Sequence, residues 1–121
     1  MTEAMEIASR YIETWNARDA GDRERLLASY WAREPSYVDP LMKAKGGAEL
    51  SGIIGAVHER FPGFRFSLIN TPNGHGDWVR FSWGLGPDGT EPVIEGSDVI
   101  QLDGGRMKDV VGFLDKVPAA A

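Results

Sequence analysis

A chain of 121 residues, 42% hydrophobic and 26% charged, has the length and composition of one globular domain with a real core. Its net charge of −5 leaves no basic stripe to release counterions from a phosphate backbone, which excludes nucleic acid as a partner. The absence of cysteine removes disulfides, thiol nucleophiles and thiolate metal sites, and no window nears the roughly 18 consecutive apolar residues of a membrane span, so no membrane partner is expected.

Residues 2–18 predict an amphipathic helix, with Ala4, Ala8, Tyr11, Ile12 and Trp15 on one face. Glu3 and Glu6 stand where a secretory leader would carry basic and apolar residues, which points to a cytoplasmic protein. After Asp19-Ala20-Gly21, Asp22 is the expected N-cap of a second helix whose buried stripe is Leu26, Leu27, Tyr30 and Trp31. Ser36 to Asp39 reads as a short extended segment closed by Pro40, which keeps Asp39 out of helical backbone. Gly46-Gly47 opens a third helix that runs to about Phe61 on Leu50, Ile53, Ile54 and Val57, and Pro62 stops it.

From Phe64 the period changes to two. Phe64, Phe66 and Leu68 form one strand; after an Asn73-Gly74 turn, Val79, Phe81, Trp83 and Leu85 form the next. Pro87-Asp88-Gly89 turns the chain into two last strands, which Asp103-Gly104-Gly105 joins as a hairpin. The order predicts an α+β domain over residues 1–116, with three helices packed on a curved antiparallel sheet that encloses a cone-shaped cavity; 117–121 is expected to be a flexible tail.

Asp98 is the most informative residue. It shares a strand face with Ile94, Ile100 and Leu102, and a carboxylate on an apolar face must be neutralised or hydrogen-bonded. Tyr11, Trp15, Val57, Phe81, Trp83, Ile100 and Val110 are expected to line the cavity beside it, around a flat or polycyclic hydrophobic ligand. His58 either reaches the cavity mouth or satisfies a carbonyl near the helix end, whereas Tyr30, Trp31 and Phe61 read as ordinary core. Asp39 is either a pocket carboxylate or the acceptor of an Asx turn ahead of Pro40. Two distant histidines make no metal site, and the glycine pairs are hairpin material with no helix after them, so neither metal nor cofactor is expected.

This order of elements resembles the NTF2-like superfamily and its SnoaL-like branch from Tyr11 to Asp115. The likeness is carried by Tyr37-Val38-Asp39-Pro40, His58 to Phe64, Gly96-Ser97-Asp98, Asp103-Gly104-Gly105-Arg106 and Gly112-Phe113. The parallel with ketosteroid isomerase implies Asp39 as general base and Asp98 as a neutral acid that donates to an oxyanion. That family's first-helix tyrosine has two possible counterparts: Tyr11, in a similar Arg-Tyr-Ile-Glu string, or the place near Thr14 and Trp15 reached by counting back from Asp39. The resemblance implies a cofactor-free isomerase or cyclase on a small hydrophobic carbonyl compound; the alternative is a binding or association module with no chemistry. Val99, Ile69 and Trp78 on the outer sheet face predict a homodimer.

Overall fold

The computed structural model describes residues 2–118. Met1 and residues 119–121, which hold most of the expected tail, lie outside it. Three helices, α1 (Thr2–Asn16), α2 (Ala20–Tyr30) and α3 (Gly47–Arg60), pack against seven strands. The strands are β1 (Trp31–Val38), β2 (Lys43–Lys45), β3 (Phe64–Leu68), β4 (Asn73–His75), β5 (Trp78–Pro87), β6 (Ile94–Asp103) and β7 (Arg106–Lys116). Their order in the sheet is β2-β1-β7-β6-β5-β3, with β4 paired to β5. The sheet is curved, unclosed and mixed. Every pairing is antiparallel, as expected, except β1 with β7, which is parallel because β1 is separated from β7 by α3 and the whole meander.

The second helix starts earlier than Asp22. The Asp19 carboxylate accepts from the Asp22 backbone N–H at 3.0 Å and makes Asp19 the N-cap. This phase puts Arg23 inside, 6% exposed, where its guanidinium donates to the carbonyls of Ala17 and Arg18 just past the end of α1 and to Ser51 Oγ on α3. Gly55 accommodates it, since a Cβ there would lie 3.0 Å from Arg23 Nη2.

Trp31 is buried as expected, but in a strand. Its N–H closes α2 on Leu27 O and its own backbone is extended, so β1 starts at Trp31, five residues before the extended segment expected from Ser36. Pro35, which has no N–H to give, sits within the irregular stretch of the β1–β7 ladder between Trp31 and Ser36. The Asn73-Gly74 turn is also displaced. Asn73 to His75 form β4, and the chain reverses at Gly76-Asp77. The last hairpin turns at Gly104-Gly105 as expected, with φ of 58° and 82°.

The inner sheet face and the helices share one core, which includes Trp31, Leu50, Ile54, Phe81, Ile100, Met107 and Val110. Trp31 Nε1 donates to Thr14 Oγ1 at 3.1 Å, and that hydroxyl donates back to Arg10 O. Among the described residues no helix is long and apolar enough to cross a membrane.

Candidate active site

Alternation along β6 turns Ile94, Gly96, Asp98, Ile100 and Leu102 inward. Asp98 is 1% exposed and stands opposite Phe81 on β5 and Gly112 on β7. Across the parallel pair, Val38 is in register with Val111, so the next residue, Asp39, comes in beside Gly112. Two carboxylates from distant parts of the chain thus approach over a residue with no side chain. A Cβ on Gly112 would stand 2.8 Å from Asp98 Oδ1 and 3.4 Å from Asp39 Cβ.

Each carboxylate has a tyrosine. Tyr11 Oη donates to Asp98 Oδ2 at 2.5 Å, and Tyr37 Oη donates to Asp39 Oδ2 at 2.6 Å. Asp98 Oδ1 accepts from the Trp83 indole N–H at 3.1 Å. That indole lies over Gly96, its cross-strand neighbour, where a Cβ would come within 2.3 Å of the ring. Asp39 Oδ1 accepts from the backbone N–H groups of Leu41 and Met42, both at 2.8 Å, and the Asp39 N–H donates to Met42 O at 2.9 Å. The two roles that the sequence leaves open for Asp39 therefore coexist: one oxygen staples the loop, and the other meets Tyr37 at the cavity.

Burial raises the Asp98 carboxyl to about 6, against the lowering effect of the Tyr11 and Trp83 hydrogen bonds; the charges of Asp39 and Asp115 add to the rise. Burial and the Asp98 charge push the Tyr11 hydroxyl well above its ordinary value, and the same two causes, with the Asp39 hydrogen bond, raise Tyr37 strongly. Both hydroxyls therefore hold their protons and remain donors.

The cavity between these groups has a volume of about 100 Å³. Its polar residues are Tyr11, Trp15, Tyr37, Asp39, Trp83 and Asp98; Leu41, Met42, Val57, Phe61, Phe66, Leu85, Ile94 and Leu114 complete the wall, and none of these residues is cationic. Among the described residues no group of three or more His, Cys, Asp or Glu side chains could hold a metal ion.

Four residues expected on the wall are elsewhere. His58 lies one position round α3 from Val57, and its Nε2 is 2.7 Å from Trp15 O, so it fills the carbonyl-satisfying role of the two left open. Phe81 faces inward but sits edge-on to the Tyr11 ring, 5.0 Å between centroids, in a layer of packed core. Ile100 and Val110 also face inward, at the packed end of the cone, where neither meets the hollow. Conversely, Phe61 lines the cavity instead of serving only as core, because it follows Val57 by one helical turn. Tyr37, Leu85, Ile94 and Leu114 are legible as wall from strand alternation, since each shares a strand face with Asp39, Trp83, Asp98 or Val110; Phe66, Leu41 and Met42 carry no such signal.

Of the first-helix candidates, Tyr11 donates to Asp98 and Trp15 lines the cavity, whereas Thr14 turns to Trp31 and the Arg10 carbonyl.

A family model described as a SnoaL-like domain matches residues 8–110. A solved structure from Agrobacterium tumefaciens str. C58, described as a candidate isomerase of the SnoaL-like family, is 43% identical and covers 95% of this chain and 99% of its own, with a TM-score of 0.90. A candidate SnoaL-like polyketide cyclase from Jannaschia sp. CCS1 is 17% identical, covers 94% of this chain and 86% of its own, and superposes with a TM-score of 0.74. A candidate ketosteroid isomerase from Kribbella flavida DSM 17836 is 16% identical, covers 98% and 82%, and has a TM-score of 0.70. These last two share the fold. Among curated proteins none matches the sequence.

Proposed function

Because this chain belongs to the SnoaL-like domain family, we propose that it is a cofactor-free isomerase or cyclase acting on a small hydrophobic carbonyl compound. The observation that carries this reading is the pair of carboxyl groups, Asp39 and Asp98, on the wall of one apolar cavity, each held by a tyrosine hydroxyl.

Asp39 Oδ2 is the general base. It takes a proton from the carbon next to the substrate carbonyl; the C–H electron pair becomes the C=C bond of an enolate, and the carbonyl π pair moves to oxygen. Asp98 in its neutral form donates a hydrogen bond to that oxyanion, and Tyr11 and Trp83 hold the acid in place. Isomerisation ends when Asp39 returns the proton to a carbon further along the enolate. In a cyclase, the enolate carbon instead attacks a second carbonyl of the same substrate, whose π pair moves to its oxygen, and that oxygen takes the proton back from Asp39.

Asp39→Asn tests this reading, because the amide oxygen of the variant can still accept from the Leu41 and Met42 N–H groups while the base is lost. The variant is expected to abolish conversion of a β,γ-unsaturated ketone to its conjugated isomer, followed by absorbance, with an unchanged circular-dichroism spectrum. Undiminished turnover in the variant, or no turnover in the parent, overturns it.

One observation favours a binding module without chemistry: Asp39 is also the staple of its own loop, which gives its carboxylate a purpose in the absence of any reaction. A homodimer through the outer sheet face is part of either reading, supported by the exposure of Val38, Trp78, Val111 and Phe113 there.

A further inference from the structure

Leu41 is the most exposed large apolar side chain among the described residues, at 77%, and it also lines the cavity. A lone exposed leucine calls for no explanation by itself. This one ends a continuous wall. Exposure along the cavity lining runs from Tyr11, Trp83 and Asp98, all buried, through Met42, Phe61, Ile94 and Leu114, all half-buried, to Leu41. The hollow is thus polar where it is closed and apolar where it opens, with Leu41 at the lip. None of the outer-face residues Val38, Trp78, Val111 and Phe113 shares that lining.

Leu41 is also held in place. The Asp39 carboxylate accepts from the Leu41 and Met42 N–H groups, both at 2.8 Å, and the Asp39 N–H donates to Met42 O at 2.9 Å. Val38 pairs with Lys43 on either side of this turn, and Pro40 fixes a further torsion within it. The backbone under Leu41 is therefore ordered before anything covers the side chain, so little is lost to ordering when its apolar area leaves water.

We propose that Leu41 is a specificity-determining residue: it covers an apolar extension of the ligand that leaves the hollow at its mouth, so the ligand is an amphiphile with its carbonyl end inside and its hydrocarbon end along Leu41. The carbonyl end rests on the chemistry proposed above; the extension rests on Leu41. A ligand that ended inside the hollow would leave this side chain in water, and a polar extension would give it no hydrocarbon to meet. Because the carboxylate that faces the hollow also fixes the turn, the reacting carbon and the start of the extension are held in one frame.

The test titrates unbranched methyl alkyl ketones, from ethyl to octyl, into the parent, Leu41→Ser and Met5→Ser, followed by NMR. Affinity for the parent should rise about threefold per methylene once the chain reaches the mouth, close to the gain from burying that group. In Leu41→Ser the ethyl ketone should bind as in the parent and the octyl ketone about tenfold more weakly, the scale of one leucine left uncovered. Met5→Ser, at an exposed apolar position on α1 outside the cavity, should change neither. In the parent, the Leu41 methyl resonances should move with the octyl ketone and not with the ethyl ketone, a readout that needs no variant. Equal losses for short and long ketones, no loss for either, a parent that binds none of the series, or unmoved Leu41 methyls overturns the proposal. So does a Leu41→Ser protein of lower mass than the parent by light scattering, which would give the residue to a second copy of the chain. Chain-length selectivity in a parent that isomerises nothing removes the enzymatic reading alone, whereas an active isomerase whose Leu41 variant keeps the parent's chain-length profile removes this inference alone.

Discussion

The Tyr11 hydroxyl and the Asp98 carboxylate meet at 2.5 Å across 87 residues of sequence, joining the first helix to the sixth strand inside the cone. A donor to an ionised carboxylate favours the ionised form, so the bond restrains the rise that burial imposes on Asp98. Tyr11→Phe keeps the ring and removes the restraint. The Asp98 carboxyl is expected to titrate above its parent value of about 6, seen in carbon NMR of labelled aspartate. At pH 7.5 the variant loses about 1–3 kcal/mol of stability, the scale of one hydrogen bond to a charged group. An unmoved or lowered Asp98 titration would show that the tyrosine has no hold on it.

The sign of the pH dependence follows from the same residue. Asp98 titrates near 3.8 when unfolded and at about 6 when folded, so the native state binds this proton more tightly. Its stabilising contribution is complete below the lower value and is lost as pH rises through the upper one, on the order of 3 kcal/mol. Urea unfolding of the parent and of Asp98→Asn at pH 4.5 and 7.5 isolates this share, because other groups cancel in the difference. The parent should fall relative to the variant at the higher pH. The proposed reaction needs Asp98 neutral, so its rate should also decline as pH passes about 6; a rate that keeps climbing to pH 8 would rule out an acid role for this carboxyl.

Strand alternation made Asp98 legible, since a period of two leaves an acidic residue among Ile94, Ile100 and Leu102 no other side to face. The same rule gave the inward face but not its division into a hollow end and a packed end, which depends on how α1 and α3 lie across it; Phe81, Ile100 and Val110 were therefore placed on the right face and in the wrong compartment. The cap of α2 is not legible in the sequence because Asp19 and Asp22 are both competent caps three residues apart, and the burial of Arg23 against the α1 terminus decides between them only in three dimensions. The parallel pairing of β1 with β7 that brings Asp39 to Asp98 spans some seventy residues and has no local signature.

Two glycines hold the site open and a third does not. Gly112→Ala places a methyl 2.8 Å from Asp98 Oδ1, and Gly96→Ala drives one to 2.3 Å from the Trp83 indole. Both should cost about 1–3 kcal/mol, as overpacked cores do, and should displace the carboxylate from Tyr11 or Trp83. Gly52→Ala, on an exposed helix position with nothing within 4 Å, should instead stabilise by up to about 1 kcal/mol. Thermal melts of the three variants check the order; a Gly112→Ala protein as stable as its parent would mean that the two carboxylates do not crowd that strand.

The outer face of the sheet carries an apolar row that crosses three strands, Val38 in register with Val111 and Val111 with Val99, flanked by Phe113 at 53% exposure and by Trp78. Arg80 on β5, opposite Val99, ends the apolar row with a charge. A row of this kind suits a two-fold contact, since the same residues can meet their own copies about an axis near Val111. A stable pairing would bury at least about 1,000 Å² in total. Light scattering at tens of micromolar is expected to give twice the chain mass for the parent. Val111→Lys puts a charge at the centre of the contact and should yield monomers with an unchanged circular-dichroism spectrum, because its side chain points away from the core. Ile69→Lys, at the margin, should weaken the dimer by less. A parent that scatters as a monomer at this concentration would show that this face stays in water.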